Sequence, residues 1–269
     1  MEEDKILFSE AEWPKVMGDL TKAMTTHLSQ YRTPVFKHVD DIGLGHGSGS
    51  YIRLGNRVFI LTNEHVASVR REDQQLTHQL NGQEDIRPIR GNHVAHAWPV
   101  DLALLPIDPE AWSSASNASA AISLEQIAHT HSPVAHEILA LTGIAGANAG
   151  FVFDTLLWRP NCYLARETDP PAHDAFDGQF HFAIDYNPDL ATDVIERIGL
   201  PLPKGLSGST VWSTGFVEAK MQGIQWHPDL AKVTGVVWGW PSSAGCLIAT
   251  RSEHLRSFLA EAAPRLAML

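Results

Sequence analysis

The chain has 269 residues, 44% hydrophobic and 19% charged, an ordinary globular composition with enough length to bury a sizeable core in one or two domains. A formal net charge of −11 argues against nucleic acid as a partner, and the longest basic cluster, Arg70-Arg71, runs straight into Glu72 and Asp73 as a solvated turn would. Two cysteines, an acidic Met1-Glu2-Glu3-Asp4-Lys5 start and no run of 18 apolar residues point away from a secreted disulfide scaffold, a signal peptide and a membrane span, and toward a cytoplasmic protein.

In chain order, residues from about 5 to 30 read as a helix. Apolar residues from Ile6 to Leu28 recur at three- and four-residue intervals, Ser9 with Glu12 forms a capping box, and Thr33-Pro34 ends the element. Residues 1–33 are thus a helical extension, long enough to bind a regulatory partner or cover a cleft. From residue 34 the texture becomes that of an all-β protein, with short β-branched and apolar runs punctuated by glycine and proline. Strands are predicted over Ser48–Leu54, Arg57–Thr62, Leu102–Pro106, Glu137–Leu141, Cys162–Glu167, Phe180–Tyr186, Ser209–Ser213, Val233–Trp240 and Gly245–Thr250. Gly55-Asn56 signals a hairpin between the first two. Asp108 to Gln126 crosses between two halves of the fold, and Thr168 to Gly178 is an exposed loop. Residues 251–269 return to helical spacing, with Leu255, Phe258, Leu259 and Ala262 on one face and Ser252 as N-cap.

Three segments carry chemistry. Leu61-Thr62-Asn63-Glu64-His65-Val66 follows the glycine-rich Gly47-Ser48-Gly49-Ser50 hairpin, Asp101-Leu102-Ala103-Leu104-Leu105 comes next, and Gly205-Leu206-Ser207-Gly208-Ser209 last. A serine hydroxyl needs an adjacent base, which histidine supplies near neutral pH. A carboxylate holds that imidazole in one tautomer, and backbone N–H groups receive the oxyanion. His65, Asp101 and Ser207 answer these needs, and Gly205 permits the close backbone approach that presents its own N–H with that of Ser207.

In that order and spacing, these motifs resemble the trypsin-like, chymotrypsin-fold serine peptidases, with a texture nearest the bacterial HtrA-like domains but no room for a PDZ domain. The resemblance spans roughly residues 43–250. It implies two six-stranded β-barrels of chymotrypsin type: residues 34–110 carry His65 and Asp101, and residues 111–250 the crossover and Ser207. His65 is then the general base, Asp101 its orienter and Ser207 the nucleophile, with an oxyanion hole of Gly205 and Ser207. Val237, Trp238, Gly239 and Trp240 form the strand that pairs with substrate. If Gly239 faces the specificity pocket it is open; if Trp240 does, it is obstructed and suits a small P1 side chain. The pocket base near Leu200-Pro201 shows no acid.

One departure concerns activation. The digestive and clotting enzymes place an aspartate before the nucleophile for a new N-terminus to pair with, and here Leu206 stands there. The resemblance therefore implies an enzyme active, or ligand-gated, as synthesised. It implies a protein or peptide substrate and no cofactor. A pseudoprotease that keeps the fold as a peptide-binding module is the alternative. His129-Thr130-His131 with His136-Glu137 is the densest histidine group, but it lacks a His-Glu-x-x-His pattern or a cysteine pair and reads as structural. Cys162 and Cys246 read as core thiols.

Overall fold

A computed structural model describes residues 9, 11–39, 42–68, 74–113, 118–145, 149–152, 155–158, 161–187, 201–241 and 245–266. Two antiparallel seven-stranded sheets dominate it, in the double-barrel arrangement. The first holds β1 (Arg32–Val39), β2 (Ile42–Leu54), β3 (Arg57–Thr62), β4 (Gln75–Gln79), β5 (Ile86–Pro88), β6 (Val94–His96) and β7 (Leu102–Pro106), ordered β5-β4-β1-β2-β3-β7-β6. Next in the chain come β8 (Leu139–Gly143), a separate hairpin of β9 (Ala149–Val152) and β10 (Thr155–Trp158), β11 (Asn161–Ala165), β12 (Glu167–Thr168) and β13 (His181–Asp185). With β14 (Thr210–Ser213), β15 (Lys232–Gly239) and β16 (Cys246–Arg251) they form the second sheet, ordered β11-β8-β14-β15-β16-β13-β12. Among the described residues each sheet has seven strands, one more than the resemblance implies, and the edge strands β5, β6 and β12 are only two or three residues long.

Strand periodicity explains the packing. On β3, Val58 and Ile60 enter the core of the first barrel, while Phe59 and Leu61 enter the seam between barrels. On β7, Ala103 and Leu105 point inward and Leu102 and Leu104 seamward. Each strand thus buries both faces and needs an unbroken apolar run. The seam also takes Trp212 of β14 and Val236 of β15, while Leu139, Leu141, Ile184, Val211 and Leu247 fill the second barrel. Residues 118–128 are stitched to both barrels through the bridges Ile52↔Ile122 and Ile127↔Val233. Gly55, at φ +60°, turns β2 into β3.

Helix α1 spans Trp13–Leu28, with the reciprocal Ser9–Glu12 bonds just ahead of it, and the predicted helical residues 5–8 lie outside the described residues. Its apolar face, Leu20, Met24 and Leu28, is buried in the seam, where Trp212 stacks on Tyr31 at 5.3 Å. Its described part therefore closes the rear of the molecule and does not cover the cleft; burying that face is worth more than leaving it as a mobile flap. Thr33 and Pro34, expected to end the helix, lie inside β1, where Pro34 sits opposite Ser48. The C-terminal helix α5 (Ser252–Leu266) packs Leu255, Phe258, Leu259 and Ala262 into the same seam, on the face read from the sequence. Ser252 does not cap it by its side chain: the hydroxyl is buried without a hydrogen-bond partner.

Candidate active site

His65 and Asp101 come together at one end of the first barrel. β3 leads through Asn63 into α2 (Glu64–Ala67), a single turn that carries His65, and β7 begins one residue after Asp101. The two strands pair antiparallel, Thr62 opposite Ala103, so both side chains emerge at the same end. His65 Nδ1 lies 2.7 Å from Asp101 Oδ2, and the His65 backbone N–H donates to Oδ1 at 3.0 Å. The Asn63 amide donates to the Asp101 carbonyl at 2.8 Å. An ionised carboxylate only accepts, so the proton sits on Nδ1 and the lone pair is on Nε2. Asp101 is 7% exposed at its side chain and His65 47%, which leaves the imidazole edge facing the cleft.

Ser207 arrives on the loop before β14. Leu206 N–H donates to the Pro203 carbonyl at 3.0 Å, and Gly205 has φ +95°; this is a turn with positive φ at its third residue, as a type II turn demands of glycine. Two further bonds fix the loop, Gly208 N–H to the Val237 carbonyl and Ser209 N–H to the Leu206 carbonyl, both at 2.9 Å. Among the described residues neither the Gly205 N–H nor the Ser207 N–H has an acceptor. Two unpartnered donors bracketing a serine hydroxyl can receive an oxyanion. The Ser207 hydroxyl itself donates to the Trp238 carbonyl at 3.3 Å.

Sequence reasoning missed the braces between the barrels. Ser48, 1% exposed on β2, donates its hydroxyl to the Gly205 carbonyl at 2.7 Å and accepts from the Ile144 N–H at 2.9 Å. Its backbone N–H reaches the Ser207 carbonyl at 2.7 Å. The approach is so close that a Cβ on Gly208 would stand 2.0 Å from the Ser48 carbonyl oxygen. In the other direction, the second barrel holds the Asp101 loop. His181, fully buried, accepts the Asp177 N–H on Nδ1 at 3.0 Å, so Nε2 carries the proton and donates to the Pro99 carbonyl at 2.7 Å. Thr250 donates to the next carbonyl, Val100, at 2.9 Å. Burial holds the His181 imidazole below its ordinary pKa, against the smaller pull of its bond to Pro99. Asp101 sits at φ +47°, a conformation this two-sided clamp maintains. Only Ser48 lies inside a segment that reads as carrying chemistry; His181 and Thr250 fall in predicted strands, and nothing local marks them as braces.

The expected substrate strand is β15, but it bulges at Trp238, between Val237↔Ala249 and Gly239↔Ile248. Val237 is buried in the second-barrel core, and Trp240 rejoins that side of the strand, packed against the same cluster. Beside Gly239, space is open: a Cβ there would meet nothing within 4 Å. Trp238 turns its ring to His181, centroids 5.2 Å apart. At the expected pocket base, Pro201 accepts a hydrogen bond from the Tyr186 hydroxyl at 2.8 Å, and Leu200 lies outside the described residues. Leu206, in place of an aspartate, is buried in the second-barrel core.

The remaining candidates are elsewhere. His131 is enclosed by Thr234 at 2.7 Å, Glu167 at 3.2 Å and the Phe182 ring stacked at 3.7 Å. Glu137 is a buried cap, its carboxylate accepting N–H groups of Phe216, Val217 and Glu218 at the start of α4 (Phe216–Met221). Cys162 and Cys246 are free thiols, both pushed up in pKa by burial.

Nothing matches the sequence among protein-family models or curated proteins. Solved structures do match in fold. The serine endoprotease from Yersinia pestis is similar over 91% of this chain and 66% of its own, at 15% identity and a TM-score of 0.54. The Rv3671c protease from M. tuberculosis, in its active form, is similar over 90% and 85%, at 14% identity and a TM-score of 0.50. The fold is that of the trypsin-like serine proteases. Within this trypsin-like fold, His65 and Asp101 stand on the first barrel and Ser207 on the second; Ser48 of the first barrel holds the serine loop, and His181 and Thr250 of the second hold the Asp101 loop.

Proposed function

We propose that this chain is a serine endopeptidase that hydrolyses peptide bonds through an acyl-enzyme, with His65, Asp101 and Ser207 as its triad. The observation that supports the reading is the 2.7 Å His65–Asp101 bond on one barrel together with, on the other, a serine loop whose Gly205 and Ser207 amides have no acceptor among the described residues. Ser207 Oγ attacks the scissile carbonyl carbon while His65 Nε2 takes its proton, and the N–H groups of Gly205 and Ser207 hold the oxyanion. As the C–N bond breaks, His65 returns the proton to the leaving amine. Water then attacks the ester, again losing its proton to His65, and the acid leaves with Ser207 restored. An extended substrate pairs in β-augmentation style with the end of β15 past Val237, where pairing with β14 has ceased. The lack of an acid at Leu200-Pro201, the expected pocket base, favours a small or apolar P1 residue over Lys or Arg. With Leu206 buried in place of an aspartate, activity does not wait on a cleaved N-terminus, which fits a cytoplasmic processing or stress and defence effector protease.

A fluorophosphonate probe tests the reading. Labelling of the wild type, abolished in Ser207→Ala, is the expected result. An unlabelled but folded wild type would leave the second reading, a catalytically silent peptide-binding module. The Ser207–Trp238 bond, which holds the hydroxyl on a carbonyl, is the observation that favours that alternative.

A further inference from the structure

A cavity of about 630 Å³ lies away from the catalytic pair. Its walls include Arg57, Arg87 and Arg90, over an apolar floor of Phe59 and Pro106, with Leu266 of α5 closing one side. β3 and β7 place it. His65 and Asp101 emerge where β3 ends and β7 begins, whereas Arg57 and Pro106 stand at the opposite ends of those strands. Five residue steps along β3 separate the two ends by about 16 Å.

Three guanidiniums in one concavity are notable in a chain with 20 basic and 31 acidic residues. Their internal commitments are few. Arg57 gives Nη1 to the Leu266 carbonyl at 3.1 Å and lies over the Phe59 ring at 5.2 Å, which fixes the side chain without neutralising it. Arg87 is forked onto Gln83 and lies 3.6 Å from the exposed Asp85. Arg90 is exposed and has no protein acceptor among the described residues. The cavity's own carboxylate, Asp108, has one oxygen taken by the Glu110 N–H. Positive charge is therefore in excess, and most guanidinium N–H donors have no acceptor among the described residues.

We infer that this cavity is a docking site for an acidic peptide segment, carboxylate side chains meeting Arg57 and Arg90 while a neighbouring apolar side chain covers Phe59 and Pro106. On the proposed proteolytic reading, on which this role rests, the segment belongs to the substrate and lies at least five or six extended residues from the scissile bond. The site would then favour proteins carrying an acidic stretch at that remove.

Fluorescence anisotropy of a labelled short peptide of alternating Glu and Leu, titrated with the full chain, tests the inference. Wild type and Ser207→Ala should bind it equally, with affinity falling as salt rises. Arg90→Glu, which breaks no internal contact, should weaken binding at least tenfold without moving the Tm, and Arg87→Gln should weaken it less. The Gln-for-Glu peptide should not bind. Equal binding of the Gln peptide, unchanged affinity in both variants, or saturation by inorganic pyrophosphate with no peptide binding would overturn the proposal. Because binding is read in Ser207→Ala as well, the docking site and the hydrolytic chemistry can fail separately. A cavity that binds beside an unlabelled serine removes only the protease, and a labelled serine without peptide binding removes only the cavity.

Discussion

The seam between the barrels has two ends of opposite character. At the rear, α1 and α5 press Leu28, Trp212, Leu255 and Phe258 into a layer held mainly by apolar burial. At the front, the barrels meet through single hydrogen bonds to named carbonyls: Ser48 to Gly205, His181 to Pro99 and Thr250 to Val100. Non-directional burial supplies cohesion, and directional bonds supply position. Stability and catalytic geometry are thus assigned to opposite ends of one interface, and each should be damageable without the other.

The largest expected effect is at the rear. Trp212→Ala removes a fully buried indole stacked on Tyr31 and should cost about 4 kcal/mol, with kcat unchanged at a temperature where the variant is folded. Loss of activity in proportion to nothing but the folded fraction, by denaturant titration and assay together, is the check. Next comes acid, which should strike the first barrel's interior. His78 is buried beside Tyr51, and burial, helped by the nearby Arg87 charge, lowers its pKa to about 4. The unfolded chain takes up this proton near pH 6.5 and the folded chain near 4. Stability from His78 is therefore complete above pH 6.5 and lost as pH falls toward 4, in total of order 3 kcal/mol. A melting temperature flat across that window in the wild type, or equally steep in His78→Gln, would contradict it.

At the front the effects should fall on rate. Ser48→Ala leaves the Gly205 carbonyl and the Ile144 N–H without partners and should lower kcat about 30-fold, with a stability loss nearer 1 kcal/mol. If stability falls but kcat does not, the brace is structural only. The smallest effect is expected of His181→Phe, about tenfold in kcat with KM within about twofold, because the Asp101 loop loses one of its two carbonyl ties to the second barrel. His181→Gln, whose amide still donates toward Pro99, should recover most of the rate; failure of that rescue would deny the positioning role.

This division also explains what could be read in advance. β3 and β7 were legible to the residue because both faces are buried and their sequences are uniformly apolar. β1 and β4 were not. In β4 the buried residues include Thr77, His78 and Gln79, the last two paired with residues elsewhere in the chain, such as Tyr51 on His78 and Trp158 on Gln79, and no apolar alternation betrays them. Pro34 reads as a stop, yet it sits in β1. The His65, Asp101 and Ser207 segments were visible because their chemistry demands local motifs, and the structure brings His65 to Asp101. Their braces span separations such as Ser48 to Gly205 or Thr250 to Val100, and no local pattern encodes a partner that distant. The choice between Gly239 and Trp240 was undecidable for a physical reason: the bulge at Trp238 resets the alternation on which such a choice depends.

The clamp on the Asp101 loop has a consequence for synthesis. His65 and Asp101 leave the ribosome early, but the hydroxyl that holds Val100 belongs to β16, some 150 residues later. A nascent chain would carry its base and its orienting acid for most of translation without the tie that aligns them. Such a timer would let a hydrolase be made beside unfolded neighbours without digesting them, and chains stalled before Thr250 should not react with the serine probe.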